Sequence, residues 1–379
     1  MKIIPYGKQW LDEDDISAVV EVLRGDWITQ GPMIERFEKE IANYIGVRHA
    51  VAFNSGTAAL HGAMFAAGLS VGDSLITTPI TFVATSNSLI YLGGKPTFVD
   101  IDMNTYCMDL EKIKPRITEN SKVVVPVDFA GYPVDLKRLR EITDDYNLII
   151  IEDAAHALGA KRYGKMVGKE ADMTMFSFHP VKHITTGEGG IILTDNSDYY
   201  DKLRIFRNHG ITKDPKKLKN KDEGPWYYEM QDLGYNFRIT DIQCALGLSQ
   251  LKKLDNFLSR RNEIASKYNR MFRDLTSLKT PPHPPYPNSL HAYHIYPLLV
   301  YGIPRRSLFN KLKQDGIRCQ VHYIPVHWQP FYKNNFGFKQ RDFPVAENFY
   351  NHEITIPLYP QMTDDEIEFV INRIVDTLT

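Results

Sequence analysis

Two residues on separate predicted strand ends could act together in catalysis. Asp153 comes after Glu152 at the end of the apolar run Leu148–Ile151, and Lys182 follows the mostly apolar run Met175–Phe178 and precedes a glycine-rich stretch. A lysine amine can form a Schiff base with an aldehyde, and a nearby acid can keep a pyridine nitrogen protonated so that the ring draws electrons. This pair therefore matches what pyridoxal 5'-phosphate requires.

Other short motifs fall at neighbouring predicted strand ends, where ligands gather in an open parallel sheet. The turn Asn54–Ala58 opens a helix whose free N–H groups favour a phosphate, and the Ser177 hydroxyl could bind the same group. Phe82 could stack on a flat ring, and His156 could contact the phenolic oxygen of that ring or pack beneath it. An ordinary helix cap, a core aromatic residue and a structural histidine are the alternatives for these positions.

The elements that must position these residues alternate between strand and helix patterns. Apolar runs predict strands, and the segments between them carry helical patterns, beginning with a stripe at Met33, Ile34, Phe37, Ile41 and Ile45 that Gly46 ends. The predicted strands are Val47–Phe53, Ser74–Thr77, Pro96–Asp100, Lys122–Asp128, Leu148–Asp153, Met173–Phe178 and Gly190–Thr194. Helices are predicted at Thr57–Leu69, Ala84–Leu92 and Asp135–Asn147. The alternation indicates an α/β fold with a mostly parallel sheet covered on both faces.

The pattern changes after about Leu254. A proline-rich connector, Pro281–Pro287, and a different order of elements predict a smaller C-terminal α/β domain over residues 255–379, after a large domain over residues 1–254. Its predicted helices are Asn256–Leu275, Pro304–Gly316 and Thr363–Thr379, and its predicted strands are His294–Val300 and Arg318–Tyr323.

Composition narrows the classes of function. The chain has 379 residues and a formal charge of −1, so electrostatics does not argue for nucleic acid or an anionic membrane as a partner. Its three cysteines are far apart, which argues against a zinc site and fits free thiols in a reducing cytoplasm. The first residues lack the apolar core of a signal peptide. No glycine-rich dinucleotide motif, Walker A sequence or Gly-x-Ser-x-Gly elbow is present.

Over nearly its full length the chain resembles the DegT/DnrJ/EryC1/StrS family of sugar-nucleotide aminotransferases. The resemblance is carried by the segments Thr29–Gly31, Asn54–Ala58, Glu152–His156, Phe176–Lys182, Thr186–Gly190, Arg207–Gly210 and Gly234–Gln243. It implies the fold type I architecture of pyridoxal-phosphate-dependent transferases, which is aspartate-aminotransferase-like.

The resemblance also implies roles for single residues. Lys182 would form the Schiff base, Asp153 would pair with the pyridine nitrogen, and Phe82 would stack on the ring near His156. The phosphate would be held by Gly56, Thr57 and Ser177, and also by Asn236 of the neighbouring subunit, which implies a homodimer with composite sites. Separately, Thr240–Gln243 reads as a capping box that starts a helix just after Asn236.

A finer resemblance points to the pseudaminic acid transaminases within that family. It is carried by Ile4–Gly7, Thr78–Asn87, Ala245–Lys253 and Gly316–Pro325. It implies a UDP-linked 4-keto sugar and L-glutamate as substrates, with the nucleotide sugar lined by Tyr6, Asp26, Trp27, Ile28, Thr29, Gln320, Val321, His322 and Tyr323.

Three alternatives stay open at this point. The first is another 4-keto sugar aminotransferase, as in GDP-perosamine or UDP-4-amino-4-deoxyarabinose synthesis. The second is a dehydratase relative, which would carry histidine where this chain has Lys182. The third is a cofactor-binding regulator without transaminase activity.

Overall fold

A computed structural model describes residues 3–220 and 222–378 of the chain. Its α-helices are α1 Glu13–Arg24, α2 Pro32–Ile45, α3 Gly56–Ala66, α4 Ala84–Ile90, α5 Leu136–Thr143, α6 Ser197–Arg207, α7 Asp241–Leu251, α8 Leu254–Phe272, α9 Arg305–Gln314, α10 Pro330–Phe336, α11 Pro344–His352 and α12 Asp364–Leu378. Its strands are β1 His49–Phe53, β2 Ser74–Thr77, β3 Lys95–Phe98, β4 Ser121–Val124, β5 Ile149–Asp153, β6 Lys161–Arg162, β7 Lys165–Met166, β8 Met173–Ser177, β9 Gly190–Thr194, β10 Ile211–Thr212, β11 Glu229–Met230, β12 Leu278–Lys279, β13 Tyr296–Val300 and β14 Glu353–Ile356. Among the described residues, no helix is both long and apolar enough to cross a membrane.

The central sheet has seven strands in the order β1-β9-β8-β5-β4-β2-β3. Strand β9 runs antiparallel to both of its neighbours, and the other pairs in the sheet are parallel. Six of the seven strands therefore point the same way, and the carboxyl ends of β1, β2, β4, β5 and β8 meet at one edge. This mostly parallel sheet confirms the α/β prediction.

Helices cover both faces of this sheet, as strand β1 illustrates. Its residues alternate between two buried clusters: Ala50 and Ala52 pack in the cluster that contains α2, and Val51 and Phe53 pack in the cluster that contains α3. Successive strand side chains point to opposite faces, so two apolar faces require two helical layers. Burying one large apolar side chain stabilises the fold by roughly 1.5–3 kcal/mol.

The predicted elements of the first two-thirds of the chain are present, and apart from strands β2 and β9 their ends are shifted. Helix α2 carries the predicted apolar stripe and ends at Gly46, which adopts φ +84°. Helix α7 starts with the predicted capping box, because the Thr240 hydroxyl accepts from the Gln243 N–H and the Gln243 side chain accepts from the Thr240 N–H.

The predicted strand Arg318–Tyr323 is wrong. Only Gln320 pairs there, with Thr355 of strand β14, which the sequence analysis had not identified. Beyond Gln320 the chain does not continue the ladder, and the side chains of His322 and Tyr323 line a cavity at the edge of the central sheet. The His322 N–H donates to the Glu353 carboxylate at 2.9 Å instead of to a backbone carbonyl of β14, so the ladder does not continue.

The C-terminal part contains a three-stranded antiparallel sheet, β12-β13-β14, flanked by α8, α9, α11 and α12. It has its own apolar cluster, in which Tyr268, Leu298 and Ile371 are buried. Another cluster mixes residues of both parts, for example Val124 with Phe349. Side chains from both sides of the proposed division between residues 1–254 and 255–379 therefore share one apolar cluster, and the division itself stays a prediction.

Candidate active site

The carboxyl ends of β1, β2, β5 and β8 open into a cavity of about 590 Å³. Ten of the residues identified from the sequence line it: Tyr6, Gly56, Thr57, Phe82, Asp153, His156, Ser177, Lys182, His322 and Tyr323. They come from widely separated parts of the chain, and the parallel sheet brings them together because its strand ends share one edge.

The other residues identified from the sequence do not line this cavity. Asp26, Trp27, Ile28 and Thr29 form an exposed segment, held where Thr29 pairs with Thr240. Gln320 pairs with Thr355, and Val321 is the half-buried residue that follows. Asn236 is exposed and pairs through its backbone with Asn208, and its carbonyl accepts from the Asn54 side chain at 3.5 Å. Their roles stay predictions.

Asp153 is a buried carboxylate with fixed hydrogen bonds at the end of β5. Its Oδ2 accepts from the Thr85 hydroxyl at 2.7 Å, and its Oδ1 accepts from the Ala155 N–H at 3.2 Å. Since Thr85 gives its one proton to Asp153, the Thr81 hydroxyl, 2.7 Å away, donates to Thr85. Burial raises the pKa of Asp153, and the hydrogen bond from Thr85, the bond from Ala155 and the charge of Lys182 act in the opposite direction.

Thr85 was not among the candidates from the sequence. It lies in α4, inside the Thr78–Asn87 segment, and only the packing of that helix against β2 and β3 brings its hydroxyl to Asp153 at the end of β5. A threonine in a short helix carries no separate signal of this role.

Lys182 lies in the turn after β8, and its amine is buried in the wall of the cavity. Burial lowers the pKa of Lys182 to about 7, although the carboxylate of Asp153 favours the charged form. Its Nζ is 3.4 Å from Nε2 of His294, a second residue that the sequence analysis had not identified as part of the site. An amine with this pKa is mostly neutral above about pH 7, so it can act as a nucleophile or a base.

His156 and Tyr323 form a hydrogen-bonded pair on another wall. The Ala130 N–H donates to Nδ1 of His156 at 3.3 Å, so the proton of this neutral ring sits on Nε2. That Nε2–H donates to the Tyr323 hydroxyl oxygen at 3.2 Å. Burial holds the pKa of His156 well below its usual range, which keeps the ring neutral. The Tyr323 proton stays available for a ligand.

The opposite end of the cavity is suited to a phosphate. The Ser55 hydroxyl caps α3 by accepting from the Ala58 N–H at 3.1 Å, while the earlier N–H groups of Gly56 and Thr57 have no acceptor within the helix. The chain is closely packed here, because a Cβ on Gly190 would lie 2.6 Å from the Cα of Gly56. Ser177 is adjacent, with its Oγ 3.4 Å from where a Cβ on Gly56 would stand.

These groups together fit a flat pyridine ring with an aldehyde and a phosphate. One end offers helix N–H groups and hydroxyls, the wall offers a neutral amine, and the buried Asp153 carboxylate offers an acceptor for a ring N–H. The orientation of Asp153, fixed by Thr85 and Ala155, supplies the pre-organisation that an electrostatic role needs.

Comparison with known proteins identifies the family. The DegT/DnrJ/EryC1/StrS aminotransferase family matches residues 9–375. The chain belongs to this family. As a member it is a pyridoxal-phosphate-dependent sugar-nucleotide aminotransferase of fold type I, which confirms the fold, the cofactor and the enzyme class inferred from the sequence.

Three relatives illustrate the similarity. The spore coat polysaccharide biosynthesis protein SpsC of Bacillus subtilis is 40% identical over 98% of this chain and 96% of its own length. The UDP-4-amino-4,6-dideoxy-N-acetyl-beta-L-altrosamine transaminase of Campylobacter jejuni is 38% identical over 99% of this chain and 98% of its own. The solved structure of Helicobacter pylori PseC, described as an aminotransferase involved in the biosynthesis of pseudoaminic acid, superposes with a TM-score of 0.92 at 33% identity, covering 100% of this chain and 99% of that one.

Membership of this family also bears on the three alternatives from the sequence: another 4-keto sugar aminotransferase, a dehydratase relative and a cofactor-binding regulator. The matching family is described as one of aminotransferases, which favours a transaminase over a dehydratase relative. The relatives named above favour an enzyme over a cofactor-binding regulator. Another 4-keto sugar remains the alternative substrate, because the UDP-4-amino-4-deoxy-L-arabinose--oxoglutarate aminotransferase of Shewanella sediminis is also 33% identical, over 98% of this chain and 97% of its own length.

Proposed function

We propose that this enzyme moves an amino group from L-glutamate to carbon 4 of a UDP-linked 2-acetamido-2,6-dideoxy-4-keto hexose of L-arabino configuration. The observation that carries the proposal is the cavity in which Lys182 and Asp153 lie together with Tyr6, His322 and Tyr323. The similarity to the transaminases of Campylobacter jejuni and Helicobacter pylori supports this choice of sugar. GDP-perosamine or UDP-4-amino-4-deoxyarabinose synthesis is the second candidate.

The three unpaired cysteines fit a cytoplasmic location.

Pyridoxal 5'-phosphate, when bound, supplies an aldehyde that accepts an amino group and a ring that stabilises negative charge. Lys182 would hold it covalently and, once released, would act as the base. Its Nζ takes a proton from the α-carbon of glutamate, and in the second half of the reaction it delivers a proton to carbon 4 of the sugar. The neutral amine that this requires follows from the burial of Lys182.

The remaining groups of the cavity bind and orient. Asp153 would accept the hydrogen bond of the ring N–H and keep that nitrogen protonated. Gly56, Thr57 and Ser177 would bind the phosphate, while Phe82 would cover one face of the ring. His156, which is hydrogen-bonded to Tyr323, would contact the pyridine ring of the cofactor.

The sugar is tested by comparing two substrates that differ at one carbon. We expect kcat/KM for the L-arabino 4-keto sugar to exceed that of its C5 epimer, the D-xylo sugar under the same UDP, by about ten- to hundred-fold. A misplaced substituent leaves polar groups unpaired at a cost of about 1–3 kcal/mol each. The measurement is the initial rate of amino transfer from glutamate at limiting nucleotide sugar.

GDP- and dTDP-linked 4-keto sugars serve as controls in the same assay. A higher kcat/KM for the epimer or for either of these nucleotides would refute the proposed substrate and leave the aminotransferase class intact. Failure with the whole panel would refute the sugar-nucleotide reaction itself.

We also propose that the enzyme acts as a homodimer with composite sites. Large apolar side chains are exposed in the ten residues that precede Asn236 and on the segment that pairs with Thr240 just after it: Trp226 is 73% exposed, Met230 61%, Leu233 68% and Trp27 60%. Such a concentration of exposed apolar surface is typical of a protein interface. Asn236 lies within it, and its side chain would bind the phosphate in the partner's cavity.

Mixing two impaired variants tests this arrangement. In a heterodimer of Lys182→Ala and Asn236→Ala subunits, one site has both substitutions and the other has neither. We expect random mixing to restore about a quarter of wild-type activity, since about half of the dimers are mixed and each has one intact site. Activity is measured at a cofactor concentration that saturates only intact sites.

The matched control mixes Lys182→Ala with Asp153→Asn. These residues line the same cavity of one chain, so no heterodimer regains an intact site. Equal recovery in both mixtures, or an active monomer, would contradict the composite site.

A further inference from the structure

Three polar side chains are hydrogen-bonded in series behind the sugar side of the cavity. The Thr355 hydroxyl is 2.6 Å from Oε1 of Glu353 and 2.8 Å from Nδ1 of His322. The His322 backbone N–H donates to the other Glu353 oxygen at 2.9 Å. Glu353 and Thr355 are fully buried, and the ring of His322 lines the cavity.

This series arises from the local structure of β14. Glu353 and Thr355 are two residues apart in a strand, so their side chains lie on the same face. The pairing of Gln320 with Thr355 then brings His322 alongside them. The buried acid is therefore coupled to a residue of the cavity wall through one hydroxyl.

Only two proton arrangements satisfy this series, because a threonine hydroxyl has one proton to donate. When Glu353 is ionised, Thr355 donates to it and accepts from Nδ1–H of His322, so Nε2 of His322 is a bare acceptor. When Glu353 is protonated, it donates to Thr355, which donates to Nδ1, and Nε2–H of His322 becomes a donor.

We propose that Glu353 is a positioning residue that decides, through Thr355, whether His322 offers the substrate a hydrogen-bond donor or an acceptor. The inference rests on the proposed function, which places His322 on the sugar side of the cavity. A keto sugar with an acetamido group presents carbonyl oxygens, which are acceptors. The donor form, with Glu353 protonated, is therefore the one that binds this substrate.

The charges around the series are compatible with both arrangements near neutral pH. Burial raises the pKa of Glu353 to about 8, while its bonds from Thr355 and the His322 N–H and the nearby Arg305 favour ionisation. The ionisable side chains of Tyr106, Cys319 and Tyr323 also interact with the charge of this carboxyl, which contributes to raising the pKa of each of them. Burial lowers the pKa of His322 to about 3, with Lys182 acting in the same direction. His322, which also packs near Tyr6, Tyr323 and His156, therefore stays neutral and changes only its tautomer.

Nitrogen NMR of the imidazole of His322 in the cofactor-loaded enzyme reads the tautomer directly. We expect Nε2–H below about pH 8 and Nδ1–H above it. In Glu353→Gln, the amide oxygen accepts from the His322 N–H, and the amide NH₂ donates to Thr355, which locks Nε2–H at every pH. Thr355→Val removes the coupling, whereas the matched control Thr355→Ser retains a hydroxyl and the wild-type response.

The same variants are assayed with the nucleotide sugar. We expect wild-type and Thr355→Ser kcat/KM to fall by about ten-fold or more as pH rises through about 8, with KM for the sugar carrying the change. That fall should be absent in Glu353→Gln.

A wild-type tautomer that does not change with pH, or a Glu353→Gln protein that still responds, would overturn the coupling. A normal tautomer change with no effect on KM for the sugar would overturn the positioning role. The NMR measurement needs no sugar, so it still tests the coupling if no 4-keto sugar is aminated and the proposed function fails.

Discussion

Replacing Lys182 by alanine is expected to abolish amino transfer, lowering kcat/KM by at least about 10³-fold. The substitution removes both the proposed covalent anchor and the proposed base, and no other lysine of residues 3–220 and 222–378 lines the cavity. Turnover with glutamate and a 4-keto sugar nucleotide is the primary measurement. The visible absorption of the covalently attached cofactor should be lost as well.

Two further variants separate this effect from a general effect of losing a lysine. Lys39→Ala, which removes an exposed lysine of α2, should leave turnover and the visible absorption unchanged. Lys182→Arg places a permanent cation at the site and should be as inactive as Lys182→Ala, because a guanidinium stays protonated. Normal turnover by Lys182→Ala would disprove the assignment of the catalytic lysine.

Asp153→Asn should lower kcat by about 10²–10³-fold, in the range found when one pre-organised electrostatic group is removed. The amide is nearly isosteric, and its oxygen can still accept from Thr85, so the change is mainly one of charge. Without that charge the ring nitrogen is no longer held protonated. Rates in each half-reaction and the dissociation constant of the cofactor measure the effect.

Glu152→Gln is the matched control for this substitution. Glu152 is the preceding residue on β5, so its side chain points to the opposite face, where it accepts from the Thr174 hydroxyl at 2.9 Å. Burial raises the pKa of Glu152 to about 7, so its loss of charge should change turnover by less than about ten-fold. Equal losses in the two variants would indicate a structural effect, and full activity of Asp153→Asn would show that another group serves the ring.

Local sequence patterns determined most elements of the fold. Strands β2 and β9 have the predicted bounds, because their apolar runs are delimited by polar or glycine residues. The stop of α2 at Gly46 and the cap of α7 at Thr240 depend on neighbouring residues, so they too could be read from the chain. Strand β14 was missed, since it is a four-residue run that is stabilised by its pairing with β13.

For the site, the sequence by itself predicted ten residues that the structure brings together around one cavity. Lys182 and Asp153 were identifiable because Asp153 ends one apolar run and Lys182 lies in the turn after another, and the ends of parallel strands share one edge of a sheet. What only the tertiary structure decided is the environment of these groups. Thr85 reaches Asp153 from 68 positions away in sequence, and His294 reaches Lys182 from 112. The proton arrangement at His322 likewise depends on Glu353 and Thr355, which come close only when β14 pairs with Gln320. Such long-range contacts leave no periodic pattern in the chain, because they depend on how whole elements pack.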